Sequence, residues 1–244
     1  MRRVFRSAVL LVIVVPAPAS AQQEQPPLVR VGTEGTYPPF SFHDPQSQEL
    51  TGYDVEVVKA IAAKAGWWLE FVETQRDAIF PALDSSRIDL VANQVSRNPE
   101  RAAKYGLSST YTYSRGVIVR RTGDDRIKSI ADLGGRTTAQ SSTSNWAKVA
   151  RDAGARVEAV EGFAQAAALL QQGRADAIVN DDIAVLDYLA TTGSKDVEIA
   201  GDAGQAGSEQ VLALRQADAA LLSQANQAID ALKADGTLRG ISQK

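Results

Sequence analysis

The chain has no cysteine and a single histidine, His43, among its 244 residues. Without cysteine there are no disulfide bonds and no thiolate metal sites. One histidine argues against histidine-cluster metal sites and against Ser-His-Asp catalysis, although carboxylate-based catalysis stays open. A chain of this length can bury a core that is stable without cross-links. We therefore expect neither a metal nor a cofactor.

The sequence also lacks an apolar run of about 20 residues, the length that a membrane-spanning helix needs. An apolar stretch over residues 8–15 follows a basic leader and precedes three small residues, Ala19-Ser20-Ala21. This order is typical of a secretory signal peptide, with cleavage before Gln22. Because no cysteine stands at the cleavage site to carry a lipid, we predict release into a bacterial periplasm and not a lipoprotein.

An excess of positive charge is missing as well. The formal net charge is −3, and loss of the three arginines in the leader takes it to −6. A net negative protein is repelled by nucleic-acid phosphates and by anionic lipid. Nucleic acid and membrane surfaces are therefore not expected as partners. No oligomerisation signal is visible, so we predict a monomer.

Short apolar segments alternate with helical patterns along the rest of the chain. Strands are predicted at 28–32, 68–72, 88–91, 136–139, 157–160, 177–179 and 211–214, and helices at 54–65, 77–84, 144–153, 163–171, 183–190 and 217–235. A β-α-β-α-β order is typical of a parallel sheet with helices on its faces. Because the pattern occurs twice, we predict an α/β protein of two similar lobes with a small-ligand cleft between them.

The run from Arg87 to Arg101 carries the strongest chemical signal. It begins as an apolar strand, and Asn98-Pro99 then predicts a helix start with Asn98 as N-cap. The polar residues expected in the loop where the strand ends are Asn93, Gln94 and Ser96. Arg101 then presents a planar fork of donors that matches a carboxylate. From spacing alone, a solvated surface arginine in the first turn of a helix is an equal alternative.

Four separated motifs identify a family resemblance. They are VGTEGTYPPFSF at 31–42, LTGYDVE at 50–56, the run 87–101 and DGTL at 235–238. In this order and spacing the chain resembles the periplasmic polar-amino-acid receptors of ABC importers, the family 3 bacterial solute-binding proteins. The resemblance implies a two-lobed periplasmic-binding-protein fold of type II, each lobe a mainly parallel sheet flanked by helices. It also implies hinge closure on the ligand and delivery to a membrane permease.

The leader pattern, the composition of the tail and the resemblance together predict the domain boundaries. Residues 1–21 are expected to be the signal peptide and 22–27 a mobile tail. The first lobe is expected over 28–115 and 212–244, and the second over 116–211. The two crossings between the lobes are expected near 114–117 and 208–212.

In similar proteins the ligand carboxylate is held by the arginine that matches Arg101, with a backbone N–H near Ser96 and the loop 140–143. Asp181 matches the acid that takes the α-ammonium group, and Tyr37 matches an aromatic that packs on the substrate. The complete set of ligand contacts predicted in this way is Glu34, Tyr37, Arg76, Asn93, Gln94, Val95, Ser96, Arg101, Gln140, Ser142, Thr143 and Asp181. Alternatively, Asp181 or Asp182 caps the helix at Ile183, and Glu34 lies in a turn.

The segments 93–95, 34–37 and 111–114, and the run 142–146, are most similar to those of receptors for cystine or cysteine. Arg76 departs from relatives, which often have an apolar or aromatic residue there. A second cation facing the ligand would suit a second carboxylate, as in cystine, glutamate or aspartate. Alternatively, Arg76 points to solvent or pairs with Asp77 or Glu73.

We therefore predict a receptor without enzymatic activity, for cystine or cysteine among the polar amino acids. Two alternatives stay open, because a fold does not decide a function. One is an enzyme similar to cyclohexadienyl dehydratase, in which Glu34 or Asp181 transfers a proton. The other is a sensor-type receptor for a different amino acid such as glutamate or glutamine.

Overall fold

The computed structural model describes residues 26–204 and 207–243. The predicted signal peptide and most of the predicted tail lie outside these residues. Within the described part, no helix has both the length and the apolar character that crossing a membrane requires.

The helices and strands alternate along the chain much as the sequence pattern predicts. The N-terminal part contains β1 (Leu28–Thr33), β2 (Thr36–Tyr37), β3 (Ser41–His43), β4 (Leu50–Thr51), α1 (Tyr53–Ala65), β5 (Trp68–Glu73), α2 (Arg76–Asp84), β6 (Leu90–Ser96), α3 (Pro99–Lys104), β7 (Tyr105–Leu107) and β8 (Thr112–Ser114). The remainder contains β9 (Gly116–Arg121), a 3-10 turn (Ile130–Leu133), β10 (Thr137–Gln140), α4 (Asn145–Asp152), β11 (Arg156–Ala159), α5 (Phe163–Gln171), β12 (Ala177–Asp181), α6 (Asp182–Thr192), β13 (Val197–Asp202), β14 (Ser208–Arg215), α7 (Ala219–Ala234) and α8 (Thr237–Ile241).

The first lobe is built on a six-stranded sheet in which five strands follow the order β5-β1-β6-β14-β7 and β8 pairs with β14. Strand β1 runs parallel to β5 and β6, whereas β14 runs antiparallel to its neighbours. Its largest core cluster joins strand residues such as Val31, Leu90 and Leu212 to α1 and α7. Burial of these apolar side chains is the main force that holds the lobe together.

The second lobe is built on a five-stranded sheet in the order β11-β10-β12-β9-β13. Strand β10 is parallel to β11 and β12, and β9 is antiparallel to β12 and β13. Two core clusters of its own fill the space beneath its helices. The molecule therefore has two separately packed lobes.

The chain passes between the sheets at two places. Strand β8 ends in the first sheet at Ser114, and β9 begins in the second at Gly116. The return lies between the end of β13 at Asp202 and the start of β14, where Ser208 pairs with Ser114. The expected lobe boundary at residue 211 therefore falls inside β14, because Ser208–Val211 already pair with strands of the first sheet.

Strand β6 is longer than its apolar pattern indicates. It continues to Ser96, so Asn93, Gln94 and Ser96 lie in a fully buried strand and not in a loop after it. Strand β14 pairs with β6 on both sides of these residues, at Val91 and at Val95, and Asn93 and Gln94 lie at the register irregularity between the two. Helix α3 begins at Pro99 as predicted, with the Asn98 side chain accepting from the Arg101 backbone N–H at 2.8 Å.

Candidate ligand-binding cleft

A cavity lies between the lobes. Both lobes line it, with charged or polar side chains that stand at strand ends or helix starts: Glu34, Arg76, Gln94, Gln140, Asn180 and Asp181. Aromatic side chains complete the lining: Tyr37, Trp146 and Phe163. A crevice at the carboxyl ends of strands is where α/β proteins usually bind small molecules.

Asp181 brings a buried carboxylate to this cavity from the second lobe. It is the last residue of β12 and is only 2% exposed. Its Oδ2 accepts from Trp146 Nε1 at 3.2 Å and from Tyr37 Oη at 3.4 Å, whereas Oδ1 is buried with no hydrogen-bond partner among the described residues. Burial raises the pKa of Asp181 to about 6. A cationic group in the cavity would supply the missing partner and favour the ionised form.

The alternative role for these aspartates, capping of α6, is divided between them. Asp181 occupies the N-cap position, but its side chain makes no capping hydrogen bond. The carboxylate of Asp182 accepts from the backbone of Ile183 at 2.9 Å and from Arg115, at the crossing between lobes. Asp182 is thus committed to the helix start, and Asp181 is left to face the cavity.

Gln94 is held in an uncommon backbone conformation, with a φ of 47°. Its backbone N–H and its side-chain Nε2 donate to the two carboxylate oxygens of Asp54, at 2.7 and 2.8 Å. The hydroxyl of Tyr111 donates to the same carboxylate at 2.8 Å. These contacts set the orientation of the Gln94 amide, whose Oε1 is buried without a hydrogen-bond partner among the described residues. The cavity is therefore lined by two residues that each hold an unpartnered acceptor, Gln94 and Asp181.

Arg76 faces the cleft and not solvent, since its side chain is only 10% exposed. Its Nη1 donates to the backbone carbonyl of Asn93 and lies 3.8 Å from Glu34 Oε2. The two alternative partners are occupied elsewhere: Glu73 pairs with His43, and Asp77 contacts the second lobe. Arg76 is thus a buried cation beside a buried carboxylate.

Asn93 supports Glu34 and does not line the cavity itself. Its Oδ1 accepts from the backbone N–H of Glu34 at 2.9 Å and from Thr33 Oγ1 at 3.1 Å, and its Nδ2 donates to Glu34 Oε2. Burial raises the pKa of Glu34, and the charge of Arg76 and the Asn93 amide act against that rise. Glu34 therefore lies in a built site and not in a surface turn.

Arg101 is buried, so it is not a solvated surface arginine. Its Nη1 donates to the backbone carbonyl of Ser96 at 2.8 Å, and its guanidinium carbon lies 5.3 Å from the centre of the Phe80 ring. Burial lowers the pKa of Arg101 to about 10, and the positive charge of Arg76 adds to that effect. Arg101 lines a neighbouring cavity between the lobes, which shares Ser144 with the first one.

The Asp77 carboxylate binds to the loop 140–143, which was predicted to hold the ligand carboxylate. The backbone N–H and hydroxyl of Ser142 donate to Asp77 Oδ2 at 3.1 and 2.6 Å, and those of Thr143 donate to Oδ1 at 3.0 and 2.7 Å. Burial acts to raise the pKa of Asp77, but these four hydrogen bonds outweigh it and lower the pKa. The Tyr37 hydroxyl also crosses the cleft and donates to Asn180 at 2.9 Å. These hydrogen bonds, and the packing of Tyr37 and Phe40 against Ala184, join the two lobes.

The other predicted contacts divide between cleft and core. Gln140 is buried and lines the cavity. Val95, by contrast, packs in the core beneath α2, and the hydroxyl of Ser96 donates to Gln210. Neither of these side chains lines the cavity.

Sequence reasoning missed several side chains of the cleft. They are Asp54, Asp77, Trp146, Phe163 and Asn180. A signal was available for Asn180, because this residue directly follows the predicted strand 177–179. In the structure it precedes Asp181 on β12. No local signal existed for Asp54 or Asp77, whose partners lie 40 and 65 residues away along the chain.

Residues 29–244 match the model of one protein family, described as bacterial extracellular solute-binding proteins, family 3. The chain belongs to this family. The L-cystine-binding protein TcyA of Bacillus subtilis is 48% identical over 217 residues, which cover 89% of this chain and 80% of that protein. The resemblance inferred from the four motifs is confirmed.

Two solved structures confirm the two-lobed fold of this family 3 protein. An ancestral arginine-binding protein bound to arginine is 35% identical with a TM-score of 0.82, covering 90% of this chain and 98% of that one. The L-cystine solute receptor of Neisseria gonorrhoeae, in an unliganded open conformation, is 44% identical with a TM-score of 0.58, covering 88% and 91%. The more similar sequence is less similar in shape, which agrees with lobes that here are joined across the cleft.

Proposed function

We propose that this protein is an exported receptor that binds a polar α-amino acid, cystine in particular, by closure of its lobes and delivers it to the permease of an ABC importer. The observation that carries the proposal is the pair of buried, unpartnered acceptors on Asp181 and Gln94. They belong to different lobes and line one cavity. An α-ammonium group between them would donate to both, so the ligand itself would favour closure.

The carboxylate end of the ligand has its counterpart in Arg101. Its guanidinium is buried, makes a single hydrogen bond to the described residues, and lines the interlobe space beside Ser142, Thr143 and Ser144. A buried guanidinium that binds a carboxylate in bidentate fashion gains both energy and geometric selectivity. Opposite charges for the two ends of a zwitterion are thus available in the cleft.

Cystine is favoured among polar amino acids for two reasons. TcyA and the Neisseria receptor are named for cystine, and both are more than 40% identical to this chain. In addition, Arg76 gives the cleft a second buried cation, which a simple amino acid does not require. Export to the periplasm follows from the leader peptide and from the extracellular character of the family.

Isothermal titration calorimetry of the purified protein, freed of bound ligand by unfolding and refolding, tests the proposal. The panel is cystine, cysteine, glutamate, glutamine, histidine and arginine. Arg101→Ala is expected to abolish binding, and Arg87→Ala, the same change at an exposed site, is the matched control. Folded protein that binds none of these amino acids would refute the proposal.

Delivery to a permease is tested in cells. Deletion of the gene is expected to abolish high-affinity uptake of radiolabelled cystine, and the wild-type gene is expected to restore it. Unchanged uptake after deletion would favour a sensor role over import.

A dehydratase-like enzyme is the second candidate, and one observation favours it. The cleft contains two buried acids with raised pKa values, Glu34 and Asp181, and such acids are suited to proton transfer near neutral pH. Turnover of prephenate or arogenate, followed spectroscopically, separates the two functions. Turnover that Glu34→Gln abolishes would establish the enzyme, whereas amino-acid binding without turnover supports the receptor.

A further inference from the structure

The interlobe space holds more buried charge than one amino acid requires. Glu34, Asp181 and Arg76 line the first cavity and Arg101 lines the neighbouring one, with side chains that are about one-tenth exposed or less. A simple zwitterion such as cysteine offers one ammonium and one carboxylate. Asp181 and Arg101 are sufficient for these two groups, which leaves Glu34 and Arg76 in excess.

Glu34 and Arg76 lie side by side without satisfying each other. The distance of 3.8 Å from Arg76 Nη1 to Glu34 Oε2 is too long for a hydrogen bond, and Nη1 donates instead to the Asn93 backbone. Among the described residues this is the one hydrogen bond that Arg76 donates, so Nε and Nη2 remain available. The pair thus offers a fork of donors next to a carboxylate.

The two residues are held firmly in this arrangement. Asn93 is fully buried and makes two hydrogen bonds to Glu34. Its side-chain oxygen accepts from the Glu34 backbone N–H, and its side-chain nitrogen donates to the Glu34 carboxylate. Arg76 is the first residue of α2, and its side chain lies against the carbonyl of the same Asn93. A positioned pair of this kind resembles a preformed subsite more than a mobile surface ion pair.

The space also continues past Arg76. Arg76 and Ser141 line both the cavity that contains Asp181 and a further opening bordered by Gln75 and Val160. A ligand bound at Asp181 can therefore extend along Arg76 from the first cavity into this opening.

We propose that Glu34 and Arg76 form a second zwitterion subsite, which binds the far ammonium and carboxylate of an amino acid with two such ends. This inference rests on the proposed receptor function and makes it more specific, since it assigns cystine and not cysteine as the ligand. Cysteine would leave the second pair of buried charges without a ligand partner. Specificity then comes from the groups that the smaller molecule fails to satisfy.

Ligands with one or two amino-acid ends test the subsite. L-cystine, lanthionine and L-cystathionine have two ends, and S-methyl-L-cysteine keeps the sulfur but has one. We expect the purified wild-type protein to bind the two-ended ligands at least 30-fold more tightly than S-methyl-L-cysteine in calorimetric titrations, the range for a buried, hydrogen-bonded charge pair.

The double variant Glu34→Gln/Arg76→Met removes both charges at once, so that neither is left unpaired in the cleft. We expect the preference for two-ended ligands over S-methyl-L-cysteine to fall to within about threefold. Arg87→Met is the matched control at an exposed site and is expected to keep the full preference. Circular dichroism verifies that each variant is folded.

Equal affinity of the wild-type protein for cystine and S-methyl-L-cysteine would overturn the subsite while leaving the amino-acid receptor intact. A folded double variant that retains the preference would also overturn it. Absence of binding to every one of these ligands would refute the receptor function itself. The wild-type comparison alone decides the matter if the double variant does not fold.

Discussion

Replacement of Asp77 by asparagine tests what holds the lobes together. Asp77 belongs to the first lobe and accepts four hydrogen bonds from Ser142 and Thr143 of the second, over 2.6 to 3.1 Å. Asparagine has nearly the same shape as aspartate, but an NH2 group, which is a hydrogen-bond donor, replaces one of the two carboxylate oxygens. That donor would face either the Ser142 or the Thr143 backbone N–H, so about half of the contact is lost.

The size of the effect follows from the chemistry of the contact. A hydrogen bond to a charged group contributes about 1.5 to 3 kcal/mol net. Two such bonds are lost, but Asp77 and Thr143 are partly solvated, which reduces their value. We therefore expect the closed arrangement to lose about 2 kcal/mol relative to the open one, a factor of about 30 in that equilibrium.

Ligand affinity should fall by a similar factor, because binding must then drive closure with less help from the protein. Calorimetry measures the dissociation constant, stopped-flow fluorescence measures ligand release, and fluorophores on the two lobes report closure by energy transfer. We expect most of the change in the release rate. Asp84→Asn is the matched control, since Asp84 lies at the other end of α2 and pairs with Lys104 within the first lobe.

A double-mutant cycle makes the test specific. If Asp77 acts through the loop, Ser142→Ala combined with Asp77→Asn should cost less than the sum of the two single changes. The reasoning is refuted if folded Asp77→Asn protein binds cystine within twofold of wild type and shows unchanged energy transfer. Strict additivity in the cycle would likewise contradict a direct contact.

Three other predictions concern single side chains. Ligand affinity should weaken up to tenfold per pH unit below about pH 6, because burial raises the pKa of Asp181 to about 6 and the protonated acid carries no charge for an ammonium group. Calorimetry between pH 4.5 and 8 should show this slope, and a slope that persists in Asp181→Asn would contradict the assignment. Asp54→Ala should lower the free energy of unfolding in urea by about 3 kcal/mol, since three donors from Gln94 and Tyr111 lose their acceptor; a loss below about 1 kcal/mol would argue against it. Tyr37→Phe removes one cross-cleft hydrogen bond and should weaken ligand binding about fivefold, measured as faster release, with an unchanged rate counting against the contact.

Local patterns predicted most of the secondary structure. Helix α5 has the predicted bounds, and the Asn98-Pro99 signal marks the start of α3. The patterns failed where pairing with a neighbouring strand decides whether a segment is a strand. Strand β6 continues through polar residues because β14 pairs with it, and β13, which the pattern reading missed, forms beside β9 at the sheet edge. Hydrogen bonds from a neighbouring strand leave no trace in the segment that receives them.

The candidate site shows the same division. Arg101 and Asp181 were predicted from short motifs, and the structure places both in the space between the lobes. Their roles toward a ligand stay predictions. The orientation of Arg76 was left open by the sequence, because a helix start can present an arginine either to solvent or to a cleft. The backbone carbonyl of Asn93 and the carboxylate of Glu34 decide it.

The sequence by itself determined the absence of disulfides, the α/β alternation and the family, since each is written in composition or in short ordered motifs. Only the tertiary structure decided that Asp77 occupies the loop at Ser142 and that Asp54 orients Gln94. It also decided that Glu34, Arg76 and Asp181 line one cavity between the lobes and that Arg101 lines the neighbouring one. The physical reason is that these contacts join residues far apart in the chain, and their energies depend on burial and distance, which exist only once the lobes have folded against each other.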